Sequence, residues 1–310
     1  MDYALFVVQR YKKRMDEAPL LIACSDLHLS MQPPAFRSAE PDWLAAQARP
    51  LRWLKKLAKQ YGCPVVIAGD IFDRAVSDSR LLNFADRVLP CAYAVAGNHD
   101  LPYHNVKNIS ESAYGMLMRT KRIVDIDGVV ILNVNGVSVA LHGFYFDKEL
   151  ASCEKRADVD ILVAHRFVWA HGSCYGGASN EYHLDRIADL LTGYDFCVFG
   201  DNHIPFLQGN VVNCGSFYRR EKGHVTFQPV VVFVFKDRLE FVPVPVADDI
   251  ISVRGDTKAE KDSPDFTRFF QSLSYSESLV CDVDELLRAF LVSRDISSEV
   301  RDAITTIVSA

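Results

Sequence analysis

Short apolar runs recur along this chain, and five of them stop at a cluster of acidic, amide or imidazole side chains. The runs LLIAC (20–24), VVIA (65–68), YAVA (93–96), ILVA (161–164) and FCVF (196–199) read as buried strands. Between them the period changes to that of helices, expected near 42–61, 78–89 and 109–119. The runs VVILNV and VSVALH flank Asn135-Gly136, a strong signal for a two-residue hairpin. A second hairpin is expected about Lys236-Asp237, from strands near 224–236 and 238–246. Strands that alternate with helices in this way imply a layered α/β fold.

After Val246 the character of the chain changes. Residues 254–262 are polar and read as a linker. Ser263-Pro264-Asp265 has the N-cap, proline and early acid of a helix start, and Asp282 with Glu285 resembles a capping box ahead of Leu286, Leu287, Phe290 and Leu291. A third helix is expected over 298–308. The expected division is a catalytic domain at 1–247 and a linker with a short helical C-terminal appendage at 248–310.

The clusters that end the runs carry the chemistry. They are Asp26-Leu27-His28, Gly69-Asp70-Ile71-Phe72-Asp73-Arg74, Gly97-Asn98-His99-Asp100, His165, and Gly200-Asp201-Asn202-His203. Each sits at the C-terminal end of a strand, where an open α/β sheet gathers its ligands. A single catalytic zinc takes about three protein ligands plus water. Asp26, His28, Asp70, Asn98, His165, Asp201 and His203 are more than one ion needs, so a pair of divalent cations is the economical reading. Asp70, in the middle cluster, can bridge them through its two oxygens at the roughly 3.5–4 Å separation of two-metal hydrolases. Glycines 69, 97 and 200 are expected where the chain turns sharply out of a strand.

Composition bounds the rest. With 310 residues, 49% of them hydrophobic, the chain can bury a full core. Its longest pure apolar stretch, 229–235, is far short of the roughly 20 residues that span a bilayer. The N-terminus lacks signal-peptide order, and eight cysteines without a C-x-x-C pair fit a reduced, cytoplasmic protein. A net charge of −6 argues against a stand-alone nucleic-acid scavenger, although bound cations would offset part of it. In the helix over 42–61, Arg52, Lys55, Lys56 and Lys59 fall opposite the apolar face and read as solvated. His104, His142, His171, His183 and His224 lie outside the clusters and read as structural or exposed, while the Gly/Ser-rich segment 171–180 reads as a connection or a substrate-contacting loop.

Taken in order, D-x-H, G-D-x-x-D-R, G-N-H-D, a lone histidine after a strand, and G-(D/H)-x-H resemble the calcineurin-like metallophosphoesterase superfamily, over residues 20–203. The resemblance implies an α/β/β/α sandwich of two sheets. It also implies that Asp26, His28 and His203 hold a first metal, that Asp70 bridges, and that Asn98, His165 and Asp201 hold a second. By the same similarity His99 is the catalytic residue and no ligand, facing the substrate to stabilise charge or protonate the leaving oxygen, with Asp100 or Asp73 orienting it. Asp201 stands where most members have histidine. A harder ligand there shifts preference toward Mn²⁺ or Mg²⁺, with Fe²⁺ and Zn²⁺ as alternatives, unless Asp201 only caps a turn.

Subfamily features bear on the substrate. The cluster at 69–74 lacks the following glycine, and Ala96 replaces the arginine, that the superfamily's protein Ser/Thr phosphatases carry, which disfavours a phosphoprotein. Residues from Gly200 through Asn213-Cys214-Gly215-Ser216-Phe217-Tyr218-Arg219 are similar to SbcD-type DNA repair exonuclease subunits and their phage relatives. That similarity implies a two-metal phosphodiester hydrolase acting on DNA, with an SbcC-type ATPase as partner and a homodimer as a further expectation. Arg74, Arg219 and Arg220 are candidates for neighbouring phosphates, or else ordinary surface arginines. The alternative is a phosphoesterase for a small substrate, such as a nucleotide, cyclic nucleotide or lipid pyrophosphate.

Overall fold

The computed structural model describes residues 18–251, apart from 147, 171–181, 222, 223, 225, 226 and 247. The strands in chain order are β1 (Leu21–Cys24), β2 (Val65–Ala68), β3 (Ala92–Val95), β4 (Ile123–Asp125), β5 (Gly128–Val134) and β6 (Val137–Phe144). They continue with β7 (Val159–His165), β8 (Phe196–Gly200), β9 (Phe206–Gln208), β10 (Val211–Asn213), β11 (Val230–Val234) and β12 (Leu239–Pro243). The five apolar runs form β1, β2, β3, β7 and β8, neighbours in parallel within two mixed six-stranded sheets. One sheet has the order β12-β11-β1-β2-β3-β4 and the other β5-β6-β7-β8-β10-β9.

Burial on both faces explains why these runs show no polar alternation. In β7, Val159, Ile161 and Val163 join the core between the sheets, while Leu162 and Ala164 join a second cluster outside with Leu184, Leu191 and Tyr194. Helices α1 (Trp43–Tyr61), α2 (Ser79–Val88) and α3 (Ala113–Arg119) send Leu51, Leu54, Leu81, Phe84 and Leu117 into the same core as the first sheet. A four-residue helix, α4 (Leu184–Ile187), lies on the second. The architecture is the α/β/β/α sandwich.

Local chemistry sets the boundaries. The Asp42 carboxylate accepts from the Ala45 N–H at 2.9 Å and starts α1, which Gly62 ends in the left-handed region (φ 63°). Asp78 and Ser112 cap α2 and α3 in the same way. Arg52, Lys55, Lys56 and Lys59 are exposed and Leu51 and Leu54 buried, as the charge pattern along α1 predicts. Asn135 and Gly136 both have positive φ (53° and 83°), which matches the twist of a two-residue hairpin.

Several expectations need correction. The helix foreseen over 109–119 is interrupted: 3₁₀ turns run to Glu111, then Ser112 accepts from Gly115 N–H and restarts the chain as α3. The second hairpin is shorter than foreseen, at Val230–Val234 and Leu239–Pro243. The short strands β4, β9 and β10 had no counterpart in the apolar pattern. The helices expected at 264–310 and the segment 171–180 lie outside the described residues. Among the described residues all cysteines are free, and no helix is long and apolar enough to cross a membrane.

Candidate metal centre

Beyond the strand ends the backbone is forced into unusual shapes. Asp26, His28, Asp70 and Asp201 all have positive φ (53°, 41°, 51° and 83°), a region that costs energy for a residue with a Cβ and collects at functional sites. Hydrogen bonds between the loops hold them there, from Asp26 N–H to Gly69 O (3.1 Å) and from His28 N–H to Asp70 O (2.9 Å). The buried Asp100 carboxylate accepts from the N–H groups of Ile71, Phe72 and Gly97 at 3.1, 2.9 and 3.1 Å, tying the loop after β2 to the loop after β3.

The glycines act in a way different from the expected one. Only Gly69 has positive φ (90°), whereas Gly97 and Gly200 are needed for close approach. A Cβ on Gly97 would stand 2.1 Å from Asp70 Oδ1, and one on Gly200 would stand 2.2 Å from Ala68 O.

All seven candidate ligands converge. On one side Nε2 of His28 and Nε2 of His203 are 3.2 Å apart, each 3.8 Å from Asp26 Oδ1. On the other, His165 Nε2 lies 3.1 Å from Asn98 Oδ1 and 4.0 Å from Asp201 Oδ1. Asp70 Oδ2 stands between, 3.6 Å from His28 Nε2 and 3.4 Å from His165 Nε2. The second nitrogens are occupied where they can be. His165 Nδ1 donates to Ala68 O (2.8 Å) and His203 Nδ1 to Glu221 Oε1 (3.3 Å), so that Nε2 is the atom turned to the centre in both.

The electrostatics call for cations. Burial drives the Asp26 carboxyl up to about 6 against the opposing pull of His165 and His203, and burial with the nearby Asp70 charge also raises Asp201. For Asp70, burial is outweighed by His165 and His99, and its carboxyl is lowered. Burial disfavours charge on His203 as well, yet Glu221, Asp26 and Asp70 push it up to about 9. Packed carboxyls that burial pushes up, beside a histidine that they and Glu221 push up, make a site that favours added positive charge. Divalent ions would supply it with a better match to this donor set of oxygens and imidazole nitrogens. The triads Asp26–His28–His203 and Asp26–Asp70–His165 each offer three ligand atoms within 4.8 Å of one another, so the residues fit two ions.

Residues 20–205 match the family model for calcineurin-like phosphoesterases, well over half of the chain. The chain belongs to this family. Calcineurin-like phosphoesterases are dinuclear metal-dependent hydrolases. Similar solved structures include the calcineurin-like phosphoesterase YfkN from Bacillus subtilis, at 14% identity and a TM-score of 0.44, covering 83% of this chain and 98% of that one. They also include the Thermus thermophilus sulfate thiohydrolase SoxB, at 13% identity and a TM-score of 0.43 over 74% of this chain. A 5′-nucleotidase precursor from Thermus thermophilus follows at 14% and 0.41 over 72%. The chain spans 57% of the length of SoxB and 53% of that of the nucleotidase. No curated protein sequence matches significantly.

His99 borders this phosphoesterase centre, its ring edge-on to His28 with centroids 4.8 Å apart. Its N–H donates to Asp70 Oδ1 (3.0 Å), and its Nδ1 bonds the backbone carbonyl of Asp73 at 2.8 Å. The group that orients it is therefore this carbonyl, in place of the carboxylate of Asp100 or Asp73. Because His28, Asp70 and His99 also offer atoms within 4.8 Å of one another, metal content decides its role. His99→Ala is expected to retain two metal ions and lose roughly 10²–10⁴-fold in rate, the loss typical of an acid–base group. Loss of an ion by elemental analysis would make His99 a ligand.

The three arginines differ. Arg219 donates from Nε to Phe227 O at 2.7 Å, and Arg220 donates to Asp73 Oδ1 at 2.5 Å, so both are engaged within the protein. Arg74 makes no side-chain hydrogen bond among the described residues and lines a cavity with His99. Sequence reasoning missed Glu221, Ser25, whose hydroxyl donates to Asp26 Oδ2 at 2.5 Å, and Asn213, which donates to the carbonyls of Asn202 and Ile204. Only Asn213, in the stretch 213–219 quoted above, left a trace in a motif. Asp201→His is expected to raise activity with Zn²⁺ relative to Mn²⁺, since imidazole is the softer donor. An unchanged preference across metal titrations would leave Asp201 outside the coordination shell.

Proposed function

We propose that the chain is a two-metal phosphodiester hydrolase that acts on DNA, in the manner of an SbcD-type nuclease. The observation that carries the hydrolase reading is the shared position of Asp70 Oδ2, 3.6 Å from His28 and 3.4 Å from His165, with His99 alongside. Bound divalent ions supply charge stabilisation to the phosphoryl oxygens and an activated water. The protein's own groups do the rest. His99, held through Nδ1 by Asp73 O, keeps Nε2 for the oxygen that leaves phosphorus. The Arg74 guanidinium suits a neighbouring phosphate. The preference for DNA rests on the sequence of 200–219, and with it comes an SbcC-type ATPase docked on 264–310; Mn²⁺ as the native metal rests on the hard ligand Asp201, a cytoplasmic location on the cysteines without a C-x-x-C pair, and a homodimer is a further proposal.

A second reading, a small-substrate phosphoesterase for a nucleotide, cyclic nucleotide or lipid pyrophosphate, is favoured by the engagement of Arg219 and Arg220. With both guanidiniums tied internally, only Arg74 among these three is left for phosphates beyond the reacting one. The test is incubation of the purified chain and Mn²⁺ with linear duplex DNA, beside bis(p-nitrophenyl) phosphate and a panel of the small substrates. Metal-dependent breakdown of DNA is expected. Turnover of small esters alone would establish the second reading, and turnover of none would refute both.

A further inference from the structure

Next to His99 lies a cavity of about 460 Å³, bordered by Asp73, Arg74, Val76, Tyr103, His104 and Glu111. Its size falls in the range of pockets that take one small organic group. Two features set it apart. Tyr103 is 91% exposed and Val76 72% exposed, although an aromatic ring of this area is normally covered. Tyr103 and His104 are also consecutive non-glycine residues in the left-handed region (φ 57° and 53°). His104 is held there by its Nδ1, which bonds the carbonyl of Asn98 at 3.0 Å, and by its N–H, which donates to Leu101 O at 3.0 Å. The strained turn that carries the ring is thus tied directly to a residue of the metal centre.

We propose that the Tyr103 ring is the stacking platform for a nucleobase on the leaving-group side of the reacting phosphate, which makes the substrate class a phosphodiester with a nucleoside beside its scissile bond. The inference rests on the diesterase reading above. The side of the phosphate follows from His99, which lines the same cavity and in that reading faces the leaving oxygen. Ala75, Leu101 and Pro102 add apolar surface, and the polar members of the lining favour a base over an acyl chain. Arg74, Glu111 and the imidazoles of His99 and His104 offer donors and acceptors to the heteroatoms of a base edge, and would be stripped of water without compensation beneath a hydrocarbon. Stacking on one exposed ring accepts any base, since each has a π face.

The test compares thymidylyl-(3′→5′)-thymidine with its two analogues in which one base is removed, using the 310-residue chain with Mn²⁺. Removing the base on the leaving side is expected to lower kcat/KM about five- to 150-fold, the range of one stacked base. In Tyr103→Ala that preference should collapse toward one, and Tyr103→Phe, which keeps the ring, should preserve it. Equal rates for all three substrates with the unaltered chain would overturn the proposal, as would a Tyr103→Ala loss that is the same with and without the base. Cleavage of bis(p-nitrophenyl) phosphate alone removes the nucleobase subsite but leaves the diesterase reading standing. No cleavage of any diester removes both.

Discussion

Asp70→Asn is expected to abolish turnover, a loss exceeding the roughly 10²–10⁴-fold forecast for His99→Ala, and to bring bound metal down to one ion or none. The amide is nearly isosteric and its oxygen can still accept the His99 N–H, now 3.0 Å from Asp70 Oδ1. What disappears is the negative charge on the oxygen that stands between His28 and His165. A neutral amide binds one hard cation weakly and bridges two poorly. The His165 imidazole should register the change without metal. Burial disfavours its charged form, but Asp70 leads the groups that raise its pKa well above the ordinary histidine value, so the substitution should lower it. Metal analysis, kinetics and a proton titration of the metal-free variant together check the point. Two ions retained at full occupancy would remove Asp70 from the bridging position.

Gly97→Ala is expected to be nearly as damaging, although it alters no ligand. The added methyl would lie 2.1 Å from Asp70 Oδ1 and 2.5 Å from Asp70 N, so either the carboxylate leaves its place or the loop after β3 withdraws. Withdrawal would break the bonds from Ile71 and Phe72 N–H to Asp100 that join the two loops. Overpacking of this kind costs about 1–3 kcal/mol, and the metal centre sits on the contact. Loss of metal affinity together with a lowered Tm is the expected outcome. Gly62→Ala serves as the contrast: it has a positive φ of 63° but open space around the missing Cβ. That variant should lose only about 1–2 kcal/mol of stability, with metal content and activity intact. Equal effects from the two substitutions would show that close approach at Gly97 is not what matters.

The ligand-bearing loops were legible because their signals are short-range. An apolar run of four or five residues followed by a polar cluster reports a buried strand and the turn at its end, whatever the rest of the chain does. Asn135-Gly136 is readable for the same reason, since the φ demanded of a two-residue hairpin is a local property. So are the caps at Asp42 and Asp78.

Other features depend on contacts between distant residues. Strands β4, β9 and β10 have three residues each, too few to display a period, and become strands only because sheet edges are there to pair with. Arg219 and Arg220 look alike in the sequence, yet one donates to Phe227 O and the other to Asp73, 147 positions away. Asp100 stands next to His99 in the sequence, yet its carboxylate accepts from three backbone N–H groups and does not orient the imidazole. By itself the sequence determined which residue types stand at the ends of the strands, because burial of short apolar runs and the turns after them are decided locally. Only the tertiary structure decided where those side chains point and which cavity they border. Direction depends on neighbours that the fold brings within ångströms: Gly97 against Asp70, Asp73 O against His99, and Tyr103 on its strained turn beside the metal centre.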